Sequence, residues 1–118
     1  MSKVVVIDFD ETITHSNQYP FTGEPAEGVK EALTEFREMG YAIHILSCRT
    51  GHELRKHSID RLEEVKVMTA FMEDNSIPFD VILNEFKPMA NVYIDDRAVG
   101  HRGDWKQTVK EFKELEGE

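Results

Sequence analysis

Apolar and polar positions alternate along this chain in blocks whose lengths and spacings name their own elements. Val4-Val5-Val6-Ile7 is an unbroken β-branched run that stops at Asp8-Phe9-Asp10, which predicts a strand covered on both faces, as in parallel sheets flanked by helices. Residues 15–25 carry Asn17, Pro20, Gly23 and Pro25 and read as a loop or short hairpin flap. Pro25 then opens a helix with Val29, Ala32, Leu33, Phe36 and Met39 at three- and four-residue spacing, and Gly40 is placed to end it. A second strand follows over 41–47. A longer helix carries Leu62, Val65, Met68, Phe71 and Met72 on one face until Asn75, Ser76 and Pro78 stop it. Asp80 to Leu83 and Ala90 to Ile94 are two more short strands. Asp104 is a plausible N-cap for a last helix that turns Trp105, Val109, Phe112 and Leu115 inward, with Trp105 in the core.

Strands alternating with helices, without repeats or a break in composition, predict an α/β fold: a three-layer α/β/α sandwich with a mainly parallel, Rossmann-like sheet. The 118 residues are expected to form one domain, 1–118, large enough to bury roughly two-thirds of the surface its unfolded chain exposes. Ligands in such sheets bind at the carboxyl ends of the strands, where Asp8 and Asp10 stand. Carboxylates so close together repel each other, and a divalent cation is the first expectation for what offsets that repulsion.

The acids belong to a wider pattern. Asp8-Phe9-Asp10-Glu11-Thr12 resembles the first motif of the haloacid dehalogenase (HAD) superfamily of phosphohydrolases, an apolar strand followed by Asp-x-Asp-x-Thr or Val. Ile43-His44-Ile45-Leu46-Ser47 resembles the second motif, Lys87-Pro88 the third, and Val92-Tyr93-Ile94-Asp95-Asp96 the fourth, in the family's order from residue 4 to 96. One departure stands out: seven residues, Pro88 to Ile94, separate Lys87 from Asp95, too few for a crossover helix. Either the edge strand before them is vestigial or the segment crosses the sheet in extended form.

The resemblance implies a Mg²⁺-dependent phosphatase with an aspartyl-phosphate intermediate on Asp8. Asp10 would be the general acid and base, Ser47 would donate to a phosphoryl oxygen, and Lys87 would supply positive charge to that group and to Asp8. Mg²⁺ would be held by the Asp8 carboxylate, the backbone carbonyl of Asp10, and Asp95, with Asp96 acting through water. An acid at position 10 favours phosphoester hydrolysis over the family's other chemistries. Neither gap that holds a cap domain in relatives has room for one here, which implies a capless member with an open site. Such a site admits a phosphorylated small molecule or a phosphate exposed on a macromolecule, or is closed by another subunit; Tyr19 and Phe21 in the flap make a homo-oligomer plausible.

Two other classes compete. Receiver domains of response regulators are also acidic α/β proteins with paired acids and a Lys, but their phosphorylated Asp follows a middle strand, where this chain has Ser47. A non-catalytic domain that keeps the metal site is the third reading.

Composition narrows the partners. A formal charge of −9 disfavours nucleic acid as a polyanion, because that affinity comes from Lys and Arg displacing counterions, while a phosphorylated nucleic-acid end stays open. The short run Arg97, His101, Arg102 and Lys106 is the one basic cluster; Arg49 reads either as an anion contact or as cover for the following helix, and His15 and His101 as polar loop residues near the motifs. No apolar run approaches the ~20 residues of a membrane span, and the first strand follows Met-Ser-Lys with no signal-peptide core ahead of it. The single cysteine, Cys48, suits a reducing compartment, so the expected location is cytoplasmic. The spacing of cysteine phosphatases would want Arg where this chain has Leu54, and Cys48 reads as an apolar filler.

Overall fold

A computed structural model describes residues 3–16, 18–47, 49, 58–83, 90 and 92–117. Along them run β1 (Lys3–Asp8), α1 (Val29–Glu38), β2 (Tyr41–Leu46), α2 (Ser58–Asp74), β3 (Val81–Ile82), β4 (Val92–Ile94) and α3 (Trp105–Glu116). The sheet order is β3-β2-β1-β4 and every pairing is parallel. With β2 on one side and β4 on the other, β1 is the strand paired along both edges, and between the exposed Lys3 at its start and Asp8 at its end it is apolar throughout; Val5, Val6 and Ile7 are all buried.

The register pairs Val5 with Ile43 and Ile7 with Ile45, and Ile45 in turn with Ile82, so these side chains share one face. Val29 and Leu33 of α1 and Met68, Phe71 and Met72 of α2 join them in a single core. Both helices lie on this face because β1-α1-β2 and β2-α2-β3 step across the sheet in the same direction, and right-handed crossovers then fall on the same side. The step to β4 goes back past β1. The strand order therefore reverses beside β1, the place where open α/β sheets leave a crevice beyond the strand ends.

Helix boundaries follow local chemistry. Pro25 does not open α1: it pairs with Thr14 in an antiparallel bridge and Ala26 N donates to Ile13 O at 2.8 Å, so the helix waits until Gly28, at φ 81°, turns the chain. Gly40 ends it as expected, at φ 93° where a side chain would be strained. The ladder of β3 spans the expected 80–83, with Asp80 N bonded to Ile43 O and Leu83 N to Ile45 O. Asp104 caps α3 by accepting from Lys106 N at 3.0 Å.

Two expected inward faces are corrected. Leu62 of α2 is 58 % exposed, while Met68, Phe71 and Met72 are buried as expected and Val65 is partly buried. In α3, Trp105 is 70 % exposed and Val109, Phe112 and Leu115 also face out, so Trp105 is no core residue. The apolar stripe of α3 finds no packing partner among the described elements. Ala98, Val99 and Gly100 line a cleft of about 760 Å³ with Val6, Leu46 and Tyr93 on the second face of the sheet, and a smaller one of about 320 Å³ with Glu111, Glu114 and Leu115 on α3. Lys87 with both accounts of its connection, and Cys48, lie outside the described residues. Among the described residues no helix is long and apolar enough to cross a membrane.

Candidate functional site

Asp8 is the last residue of β1, and the pairing of Ile7 with Ile94 carries the ends of β1 and β4 out of the sheet side by side. One step further, Asp8, Asp95 and Asp96 each bring a carboxylate oxygen within 4.8 Å of the others. Asp8 is half-buried and the other two are exposed. Burial, then the charge of Asp95 and the contact with Asp96, push the Asp8 carboxyl up from 3.8 to about 7, against the opposing hydrogen bond from Thr12. The donor set fits a hard divalent cation such as Mg²⁺, which prefers carboxylate oxygen and reverses the repulsion when bound. Of the residues expected at a cation, the structure brings the carboxylates of Asp8, Asp95 and Asp96 together, while the Asp10 side chain points to Arg49, which leaves the part expected of its backbone carbonyl open.

A tight turn after β1 returns the chain onto its own tip. Phe9 O accepts from Ile13 N at 2.9 Å and Thr14 N at 3.1 Å, and Glu11 sits at φ 63°, a left-handed conformation that costs a non-glycine residue about 1 kcal/mol. Glu11 N is held by Thr14 Oγ1 at 3.0 Å. The turn brings Thr12 back over the cluster, where its hydroxyl donates to Asp8 Oδ2 at 3.1 Å and lies 3.5 Å from Asp96 Oδ1. On the β4 side, Arg97 N donates to Asp95 Oδ1 at 2.8 Å and fixes that carboxylate.

Asp10 makes a forked pair with Arg49: Nε to Oδ2 at 2.9 Å and Nη2 to Oδ1 at 2.8 Å. The Arg49 side chain is fully buried. Its remaining donors reach the flap, Nη2 to Phe21 O at 2.6 Å and Nη1 to Pro20 O at 3.2 Å, and Nη1 lies 3.6 Å from Glu64 on α2. Of the loop or short hairpin expected for the flap, the structure shows a loop closed by the single bridge from Thr14 to Pro25, with His15 N donating to Glu24 O at 2.8 Å. Ser47 is buried at the tip of β2, next to the Leu46 that pairs with Asp8, and its Oγ accepts from Arg49 N at 3.1 Å.

Of the basic run, Arg102 lines the cleft that Asp8 and Asp95 also border. His101 is drawn to α3, with Nδ1 2.6 Å from Thr108 Oγ1 and its ring 4.4 Å from that of Trp105. Thr12, which holds the fifth place of the Asp-x-Asp-x-Thr pattern, carries no signal in the sequence alone that it would reach Asp8 and Asp96. Arg49, which the sequence leaves between an anion contact and cover for the following helix, is buried and paired with Asp10.

Two solved structures resemble this one over nearly its whole length. One is a conserved protein from Bacteroides thetaiotaomicron, 22 % identical, with a TM-score of 0.59 over 97 % of this chain and 92 % of the other. The second is a target protein from Vibrio cholerae, 25 % identical, with a TM-score of 0.60 over 96 % of this chain and 95 % of the other. No family model and no curated protein matches the chain. The likeness establishes a small α/β fold with a parallel sheet.

Proposed function

We propose that this protein is a Mg²⁺-dependent phosphomonoester hydrolase of the HAD type, capless and cytoplasmic, acting through an aspartyl-phosphate on Asp8. The observation that carries the reading is the meeting of Asp8 with Asp95 and Asp96 at the point where the strand order reverses. The finer fold belongs to the same reading: a three-layer α/β/α sandwich, with segment 98–102 and α3 as the layer opposite α1 and α2.

In this reading a carboxylate oxygen of Asp8 attacks phosphorus, and the bond to the leaving oxygen breaks as Asp10 gives that oxygen its proton. Water then passes a proton to Asp10 and attacks the same phosphorus. The bond to Asp8 breaks, phosphate leaves, and both carboxyl groups return to their starting state. Ser47 donates to a phosphoryl oxygen, and Lys87 adds positive charge there. Asp8, Asp95 and Asp96 would hold Mg²⁺, which would supply charge neutralisation for the phosphoryl oxygens. A capless site suits a phosphorylated small molecule or a phosphate protruding from a larger one.

A screen of sugar phosphates, nucleotides, phosphopeptides and end-phosphorylated oligonucleotides, with Mg²⁺ and with a chelator, tests the proposal. Phosphate release that depends on Mg²⁺ and disappears in Asp8→Asn is expected; turnover that survives that substitution overturns it. In a second reading, a phosphoacceptor module, Asp8 would take up a phosphoryl group and keep it. A phosphate that stays on the protein after treatment with a small phosphodonor would favour that alternative.

A further inference from the structure

Arg49 is 0 % exposed, and its guanidinium grips three separate parts of the molecule. Asp10 belongs to the turn after β1, Pro20 and Phe21 to the flap tip, and Glu64 to α2. The ring of Phe9 lies 5.4 Å from the guanidinium carbon and that of Tyr19 4.9 Å, so the flap also contributes to the guanidinium's aromatic surroundings. A buried cation with this many partners does not meet substrate. Its chemistry is that of a rigid, planar fork whose donors point in fixed directions. Withdrawing the flap carbonyls would leave buried N–H groups unsatisfied, and turning the plane to satisfy them elsewhere would break the forked contact to Asp10.

We infer that Arg49 is a positioning residue that couples Asp10 to the flap, so that the acid and base of the reaction is held in one orientation only while the flap is seated. The inference rests on the proposed phosphatase reading for the role of Asp10; the coupling itself does not. A plain structural anchor would stabilise the fold without linking the two.

Amide hydrogen exchange over residues 15–26 distinguishes these, with His15, Phe21 and Ala26 as reporters because their N–H groups bond within the flap and its base. Wild type, Asp10→Asn, Arg49→Lys and the double variant are compared, beside thermal melts. Asp10→Asn is expected to speed flap exchange at least about tenfold, the double variant to add little to either single one, and β1 and β2 to keep their protection. Flap exchange unchanged in Asp10→Asn, strictly additive effects, or a rise spread evenly over the whole chain would each overturn the coupling. If Arg49→Lys does not fold, Asp10→Asn alone decides.

Turnover gives an independent readout. Arg49→Lys should lose far more kcat on alkyl phosphates, whose leaving oxygen needs a proton, than on p-nitrophenyl phosphate, whose leaving group does not. An equal loss on both overturns the positioning role. Should wild type release phosphate from no ester, the phosphatase reading fails, and the exchange experiment still decides whether Asp10 and the flap are coupled.

Discussion

The hydroxyl of Thr12 lies 3.1 Å from Oδ2 of Asp8, and this bond ties the turn after β1 to the carboxylate at its tip. It opposes the burial and the neighbouring acids that disfavour a charged Asp8. Thr12→Val keeps the shape and removes the donor. Stability should change by no more than about 1 kcal/mol, the usual net contribution of one hydrogen bond, whereas kcat of the proposed phosphatase should fall roughly tenfold as its proposed nucleophile, Asp8, loses its orientation. Steady-state kinetics and a melt on the same preparation check this; a large loss of stability with kcat intact would place Thr12 in the fold alone.

Asp96 and Asp10 should separate in metal binding. The Asp96 carboxylate stands in the cluster, and that of Asp10 is turned to Arg49. Asp96→Ala is expected to weaken Mg²⁺ binding by about tenfold or more, equivalent to at least 1.4 kcal/mol, and Asp10→Asn to leave it nearly unchanged. Calorimetry with Mg²⁺ alone measures both. Equal losses would place the Asp10 side chain among the ligands, beside the backbone carbonyl expected there.

What the chain made legible is whatever a short stretch decides by itself. The run from Val4 to Ile7 has one structural use, Gly40 stands where the chain needs a positive φ, and Asp104 caps the helix that follows it. The paired acids could be placed at strand ends because they directly follow apolar runs. Partners distant in sequence stayed hidden. Periodicity shows that α3 has an apolar stripe, and only the tertiary arrangement, in which α3 packs against no other described element, decides that Trp105 and Phe112 meet solvent. An arginine two residues past a strand looks the same whether it reaches solvent or Asp10 and the flap. Pro25 misled for a related reason: its pairing with Thr14 outweighs its preference for a helix start.

Asp80 shows which of two contacts on one carboxylate matters. Its Oδ2 accepts from Ile43 N at 2.6 Å, holding β2 to the start of the β3 ladder, and its Oδ1 pairs with Arg37 at 3.1 Å. The ion pair is open to water, with side chains 44 % and 42 % exposed, so Arg37→Ala should cost at most about 1 kcal/mol. Asp80→Ala removes a charged acceptor from a backbone N–H and should cost about 2 kcal/mol. Urea unfolding of the two variants tests the order; an equal loss would assign the stability to the ion pair.

Without metal, the Asp8 carboxyl titrates at about 7 in the folded protein instead of 3.8. A raised value means that the folded state binds this proton more tightly than the unfolded chain. The stabilisation is therefore complete below about pH 4 and is lost as pH rises through about 7. In the presence of a chelator the melting temperature should fall between pH 5 and pH 8 by more in wild type than in Asp8→Asn, whose amide stays neutral throughout. Excess Mg²⁺ should raise the melt of wild type at pH 8 more than at pH 5, because the cation binds the ionised cluster and competes with the proton. Asp8→Asn should lose most of that gain. Melts of wild type that coincide with and without Mg²⁺ at pH 8 would show that these three carboxylates hold no cation, and the proposed chemistry would lose its electrostatic basis.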